Sequence, residues 1–81
     1  MNLKLDVLRA LKNCQGYLMP EPSLLNNLRL TCVPPPTVAE FCDAMVFLEL
    51  RKLITSVRPE LGGPLKWRIT DAGCAELANH P

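Results

Sequence analysis

The spacing of apolar residues changes along the chain, and the change predicts an α+β fold that is mostly helical. In most of the chain before residue 53 the apolar positions follow the period of a helix, whereas residues 53–58 and 65–70 alternate as in a strand. The predicted helices cover residues 2–15, 21–30 and 37–52 and a short stretch from residue 70, and the predicted strands cover residues 17–20, 53–58 and 65–70. Gly16 is well placed to stop the first helix.

The third predicted helix is the element around which the rest is organised. Three prolines precede it, and proline disfavours helix at its own position and at the residue before it. Thr37 followed by Glu40 fits a capping box, in which each side chain binds a backbone amide of the other residue. Four residues share one face at about 100° per residue and are the predicted core stripe: Phe41, Ala44, Met45 and Leu48.

The opposite face of this helix is also largely apolar. It carries Ala39, Cys42, Asp43, Val46 and Leu50, with Phe47 beside it. A helix that is apolar nearly all round is usually buried on more than one side. Two interpretations therefore stay open: the first two helices cover this face, or it is a surface for self-association or for a protein partner.

The last third of the sequence predicts a hairpin. Residues 59–64 form the turn, where the Gly62–Gly63 pair supplies positive φ angles. On the return strand, Trp67 shares a face with Leu65 and Ile69 and is expected to anchor the core. The short strand before the second helix is expected to pair with the edge of this hairpin, and Thr70 is the predicted cap of the last helix.

Composition limits the function classes. A chain of 81 residues has room for one small domain with a thin core, so residues 1–81 are predicted to be a single domain. Its net charge of +1 argues mildly against strong nonspecific DNA binding. The amphipathic start has no signal-peptide core, and no apolar run approaches 18 residues, so we expect a cytoplasmic protein that does not span a membrane.

Cysteine and histidine usage gives no catalytic or metal motif. The four cysteines contain no C-x-x-C pair, and the single histidine, His80, is next to the last residue. Structural zinc sites normally have paired ligands, so free thiols are the expectation. No Gly-rich phosphate loop or nucleophile–base arrangement is present. The sequence therefore predicts no cofactor, no metal and no enzymatic activity.

Two segments carry a family resemblance. LELRKLI at residues 48–54, together with WRITDAG at residues 67–73, resembles the winged-helix regulators of the MarR, PadR and ArsR kind. Those families commonly have a helix ending in "L…GLI" and a second strand running into "Y-x-L-T-x-x-G". Lys52 stands where the family usually has glycine. The resemblance implies a winged helix with a three-helix core, a β-hairpin wing and a short C-terminal helix.

The resemblance also implies a function, namely a small, dimeric DNA-binding domain that regulates transcription. The third helix would then enter the major groove, but its outward positions hold Glu40 and Asp43 and no base. Phosphates and most base edges require basic or amide side chains, so the hairpin and the helix end are better equipped. The candidate DNA-binding residues are Arg58, Lys66, Arg68, Arg51 and Lys52.

A second hypothesis is a winged helix that binds protein rather than DNA. It rests on the apolar and acidic outer side of the third helix. The candidate interface residues are Ala39, Cys42, Val46, Phe47 and Leu50. The partner would be a second copy of the chain or another protein.

Overall fold

The computed structural model of the protein describes residues 3–14 and 17–79. In chain order the elements are α1 (Leu3–Asn13), β1 (Met19–Pro20), α2 (Glu21–Thr31), α3 (Val38–Leu50), β2 (Ile54–Val57), β3 (Lys66–Ile69) and α4 (Asp71–Ala78). Every predicted element is present, which confirms the mostly helical α+β prediction. The expected helix stop at Gly16 lies outside the described residues, as do Asn2, Gln15 and His80.

The sheet has three antiparallel strands in the order β1-β3-β2. Met19 pairs with Trp67 across β1 and β3, and Ser56 pairs with the same tryptophan from β2. The expected pairing of the first short strand with the hairpin is therefore confirmed. Because side chains alternate along β3, Trp67 and Ile69 enter the core while Lys66 and Arg68 stay exposed.

The core lies between the helices and one face of the sheet. Its buried apolar residues are Val7, Leu8, Ala10, Leu11, Leu24, Leu28, Cys32, Phe41, Met45, Leu48, Ile54, Trp67, Ile69 and Leu77. All four residues of the predicted stripe on α3 are buried, with Ala44 at 4% exposure. Trp67 is 4% exposed, which confirms its expected role as a core residue.

The capping box predicted at the start of α3 is formed. The Glu40 amide donates to Thr37 Oγ1 at 3.1 Å, and the Thr37 amide donates to Glu40 Oε1 at 3.0 Å. Two of the four amides that a helix start leaves without intrahelical partners are thereby satisfied.

The end of α3 comes earlier than predicted, at Leu50 rather than near Lys52. Lys52 adopts a φ of 60°, and its amide donates to the Glu49 carbonyl at 2.9 Å. The next amide, from Leu53, donates back to the Leu48 carbonyl at 3.0 Å. This pair of bonds is the Schellman arrangement that ends many helices. Lys52 thus takes the left-handed conformation that glycine adopts most easily.

The α3 end, β2 and α4 are joined at Thr70. The Thr70 hydroxyl accepts from the Gly73 amide at 3.1 Å, which confirms the predicted cap of α4. The same hydroxyl donates toward the carbonyls of Lys52 and Leu53, at 2.8 and 2.9 Å. A Cβ on Gly73 would collide with the Leu53 carbonyl oxygen and lie 2.7 Å from Ile69 Cγ1. The Thr and Gly of the TDAG segment therefore have a structural explanation at this junction.

The hairpin is shorter than predicted, because ladder pairing stops where Val57 faces Lys66. The connection that follows β2 contains both glycines of the predicted turn, and Gly62 and Gly63 have φ angles of 84° and 107°. Their positive φ confirms the reason given for two glycines in the turn. The connection has Leu61 fully exposed to solvent.

Candidate interaction surfaces

The outer face of α3, defined as Ala39, Cys42, Asp43, Val46 and Leu50, is exposed at every position. Val46 is 57% exposed and Leu50 is 78% exposed, so these are not residues at the margin of the core. The interpretation that α1 and α2 cover this face is wrong. All five residues are exposed in the part of the chain that the structure describes, so neither helix covers them.

Phe47 differs from the other predicted interface residues because it is half-buried and packs against the core. The Lys4 ammonium lies 4.4 Å from the centre of its ring, and the Arg51 guanidinium carbon lies 4.6 Å from it. Both distances are those of cation–π contacts. One edge of the outer face is therefore an aromatic ring with two cations beside it.

A groove of about 520 Å³ runs along this edge, between α1, the end of α3 and α4. Leu5 and Leu53 contribute to its apolar lining, and Glu76 is its acidic residue. Lys4 and Leu5 were not among the residues predicted to belong to a site. The sequence did contain a signal for this groove. Leu5 lies off the apolar stripe of α1 and Phe47 lies off that of α3, and two such apolar residues can pack against each other.

The other edge of the outer face is connected to the sheet. Glu49 accepts a hydrogen bond from the Ser56 hydroxyl at 3.1 Å, so its carboxylate is directed toward β2. Near the helix start, Val38 is 54% exposed and extends the apolar surface. Val38 was absent from the predicted interface. It precedes Cys42 by four residues and therefore lies next to it on the helix surface, so the helical period alone could have included it.

The candidate DNA-binding cations occupy two places. Lys66 and Arg68 share the exposed face of β3, and Arg58 directly follows β2 and is also exposed. Within residues 3–14 and 17–79, no carboxylate forms an ion pair with these three, and the recorded surface pair is Arg9–Asp6 at 3.4 Å. Arg51 and Lys52 lie apart from them, at the end of α3, where Arg51 contacts Phe47.

The described cysteines are free thiols in different environments. Cys42 is exposed on α3, whereas Cys32 is buried and donates to Asp6 Oδ2 at 3.5 Å. Burial, aided by Asp6, raises the pKa of the Cys32 thiol, so this group stays protonated and poorly nucleophilic near neutral pH. No three His, Cys, Asp or Glu side chains come together as metal ligands among the residues that the structure describes.

No helix in the described ranges is both long and apolar enough to cross a bilayer. Comparisons of the chain with protein-family models, with curated proteins and with solved structures find no match. Two surfaces therefore remain as candidate functional sites, the outer face of α3 and the cations of the sheet.

Proposed function

We propose that the chain is a winged-helix domain that acts as a protein-interaction module and binds its partner through the outer face of α3. The order α1-β1-α2-α3-β2-β3-α4 and the sheet order β1-β3-β2 support the winged-helix assignment. The left-handed Lys52 supports it as well, because it occupies the position where the resembling families usually have glycine.

The observation that carries the interaction proposal is the exposure of Val46 and Leu50, at 57% and 78%. Removing apolar surface from water is worth about 25 cal/mol per Å², so a partner that covers these side chains gains free energy. The inner face of α3 already supplies what the core requires. The outer face is thus apolar without contributing to burial in the monomer, which is typical of a binding surface.

The charges on α3 favour protein over DNA as the partner. Asp43 lies within the outer face and Glu40 lies beside it, and both carboxylates are exposed. A helix in the major groove has phosphates along both sides, and carboxylates facing them are repelled. An apolar surface with a few acids is better suited to a protein.

Site-specific photo-crosslinking in cells that express the chain tests this proposal. A photoreactive residue at position 46 or 50 is expected to give a discrete crosslinked product. The matched control is the same residue at position 26 or 27, on the exposed side of α2. No discrete product from positions 46 and 50, or the same products from the α2 positions, would overturn the proposal.

A second candidate function is DNA binding through the sheet. The observation that favours it is the pair of exposed cations on β3, Lys66 and Arg68, with Arg58 close behind the end of β2. Three phosphate contacts predict an affinity that falls about 40-fold between 50 and 200 mM salt.

Fluorescence anisotropy of a mixed-sequence duplex at those two salt concentrations tests this candidate. Replacement of Lys66 and Arg68 by Ala is expected to reduce both the affinity and its salt dependence, whereas Lys12→Ala on α1 changes neither. No binding at the lower salt concentration would eliminate the candidate.

A further inference from the structure

We propose that the partner of the outer face is a second copy of this chain, bound with the two α3 helices antiparallel. This inference rests on the proposed function and specifies its partner. It follows from how charged and apolar residues are arranged along α3.

Two rows of residues run along the exposed side of α3, each with a spacing of four residues. The first row is apolar and consists of Cys42, Val46 and Leu50. The second consists of Asp43 and Phe47, and ends at Arg51 in the cap. Residues four apart lie next to each other on a helix surface, so each row is a continuous ridge. The second ridge has an acid at one end, an aromatic ring in the middle and a base at the other end.

A two-fold axis perpendicular to α3 places each ridge against the same ridge of the second copy, with the two ridges running in opposite directions. An isologous contact of this kind pairs residue i with residue j and j with i. With the axis near Val46 and Phe47, Asp43 of one copy faces Arg51 of the second copy, and the same pair forms again on the other side of the axis. In the apolar ridge, Cys42 faces Leu50 and Val46 faces Val46.

The remaining charges on α3 do not oppose this arrangement. Glu40 is on the same flank as Asp43 and is exposed, so it adds negative charge at the end that meets the second copy's Arg51. Lys4 approaches the Phe47 ring from α1, so an axis near Phe47 brings the Lys4 side chains of the two copies toward each other, and this pair weakens the contact. Glu49 lies on the other flank, where its carboxylate accepts from Ser56.

The size of the surface predicts a reversible dimer. Thirteen residues of helix are about 20 Å long and about 10 Å wide, so one face covers less than the roughly 800 Å² per partner of a standard interface. We therefore expect weak, reversible association, and the measurements must reach protein concentrations of about 1 mM.

Charge reversal in mixtures tests the pairing directly. In Asp43→Arg, both ends of the ridge are basic, and in Arg51→Asp both are acidic, so each variant alone is expected to associate at least about tenfold more weakly than the unchanged chain. A one-to-one mixture of the two variants restores both attractive pairs. Native mass spectrometry of this mixture is expected to detect the heterodimer in excess over either homodimer. The double variant with both reversals is expected to regain a homodimer.

Several outcomes would overturn the proposal. These are an unchanged chain that stays monomeric at about 1 mM, single variants that dimerise like the unchanged chain, and a mixture with no heterodimer excess. Urea unfolding shows whether Arg51→Asp is folded. If it is not, Arg51→Gln mixed with Asp43→Arg gives a weaker heterodimer preference to measure. A crosslink from position 46 to a different protein would overturn the second copy as partner and leave the interaction function standing.

Discussion

The two faces of α3 have nearly the same apolar character and opposite surroundings. On the inner face, Phe41 and Leu48 are 2% and 1% exposed. On the outer face, Val46 and Leu50, only a few positions away, are 57% and 78% exposed. One face of α3 therefore packs in the core, whereas the other makes no contribution to the core.

The difference in exposure between the two faces assigns them different roles within one helix of thirteen residues: the inner face stabilises the fold, and the outer face is available for binding. Substitutions on the inner face remove packed contacts and should change the free energy of unfolding. Substitutions on the outer face remove contacts with water and should change association alone. This separation can be tested by variants of either face and of the junction that ends the helix.

The largest expected effect is the loss of Phe41 from the inner face. Phe41→Ala is expected to lower the free energy of unfolding by about 3–5 kcal/mol, because it leaves a cavity in the core. Val46→Ala on the outer face is expected to change it by about 0.5 kcal/mol or less. Urea unfolding followed by circular dichroism measures both. Phe41→Leu, with an expected cost of roughly 1.5 kcal/mol, keeps the comparison measurable if Phe41→Ala does not fold. Equal losses from Phe41→Ala and Val46→Ala would show that the two faces do not differ.

A smaller effect is expected at Gly73, which lets α4 lie close to Leu53, in the segment between α3 and β2. Gly73→Ala is expected to destabilise the protein by about 1–3 kcal/mol, since its Cβ would collide with the Leu53 carbonyl. The expected direction is informative because alanine normally stabilises a helix relative to glycine by about 1 kcal/mol. Asn26→Ala on the exposed side of α2 is the control, with no loss expected. A gain of stability in Gly73→Ala would contradict the close approach of α4 to Leu53.

The smallest effect is expected at Lys52, and it has the opposite sign. Lys52→Gly is expected to raise the free energy of unfolding by about 0.5–1 kcal/mol, because glycine adopts a φ of 60° without the steric cost that other residues have. Lys52→Ala keeps that cost and is the matched control. Thermal unfolding of the three proteins ranks them, and a destabilised Lys52→Gly would contradict the left-handed cap.

Much of the architecture could be predicted because local chemistry determines it. The Thr37–Glu40 box and the Thr70 cap use residues three apart, and the buried stripe of α3 follows from the helical period. Lys52 shows the limit of local rules. Its positive φ comes from the Schellman bonds of the residues around it, at a position where the sequence offered a lysine instead of glycine.

The state of the outer face could not be predicted, because periodicity gives the orientation of a face but not what covers it. That depends on where α1 and α2 pack, which is a matter of tertiary structure. Phe47 illustrates the same limit. It was grouped with the interface, yet contacts with Lys4 from α1 and with the core make it half-buried. The grouping of Lys66 with Arg68 was easier, since strand alternation alone puts them on one face.

Sedimentation equilibrium of the unchanged chain and of Val46→Asp, between about 10 μM and 1 mM, shows whether the outer face of α3 joins two copies of the chain. We predict a mass that rises with concentration from one chain toward two for the unchanged protein, and the mass of one chain throughout for Val46→Asp. The free energies of unfolding should be equal at concentrations where both proteins are monomeric. Asn26→Asp, an equivalent charge on exposed α2, should behave like the unchanged chain. A monomer at every concentration, or a Val46→Asp variant that dimerises like the unchanged chain, would contradict the account.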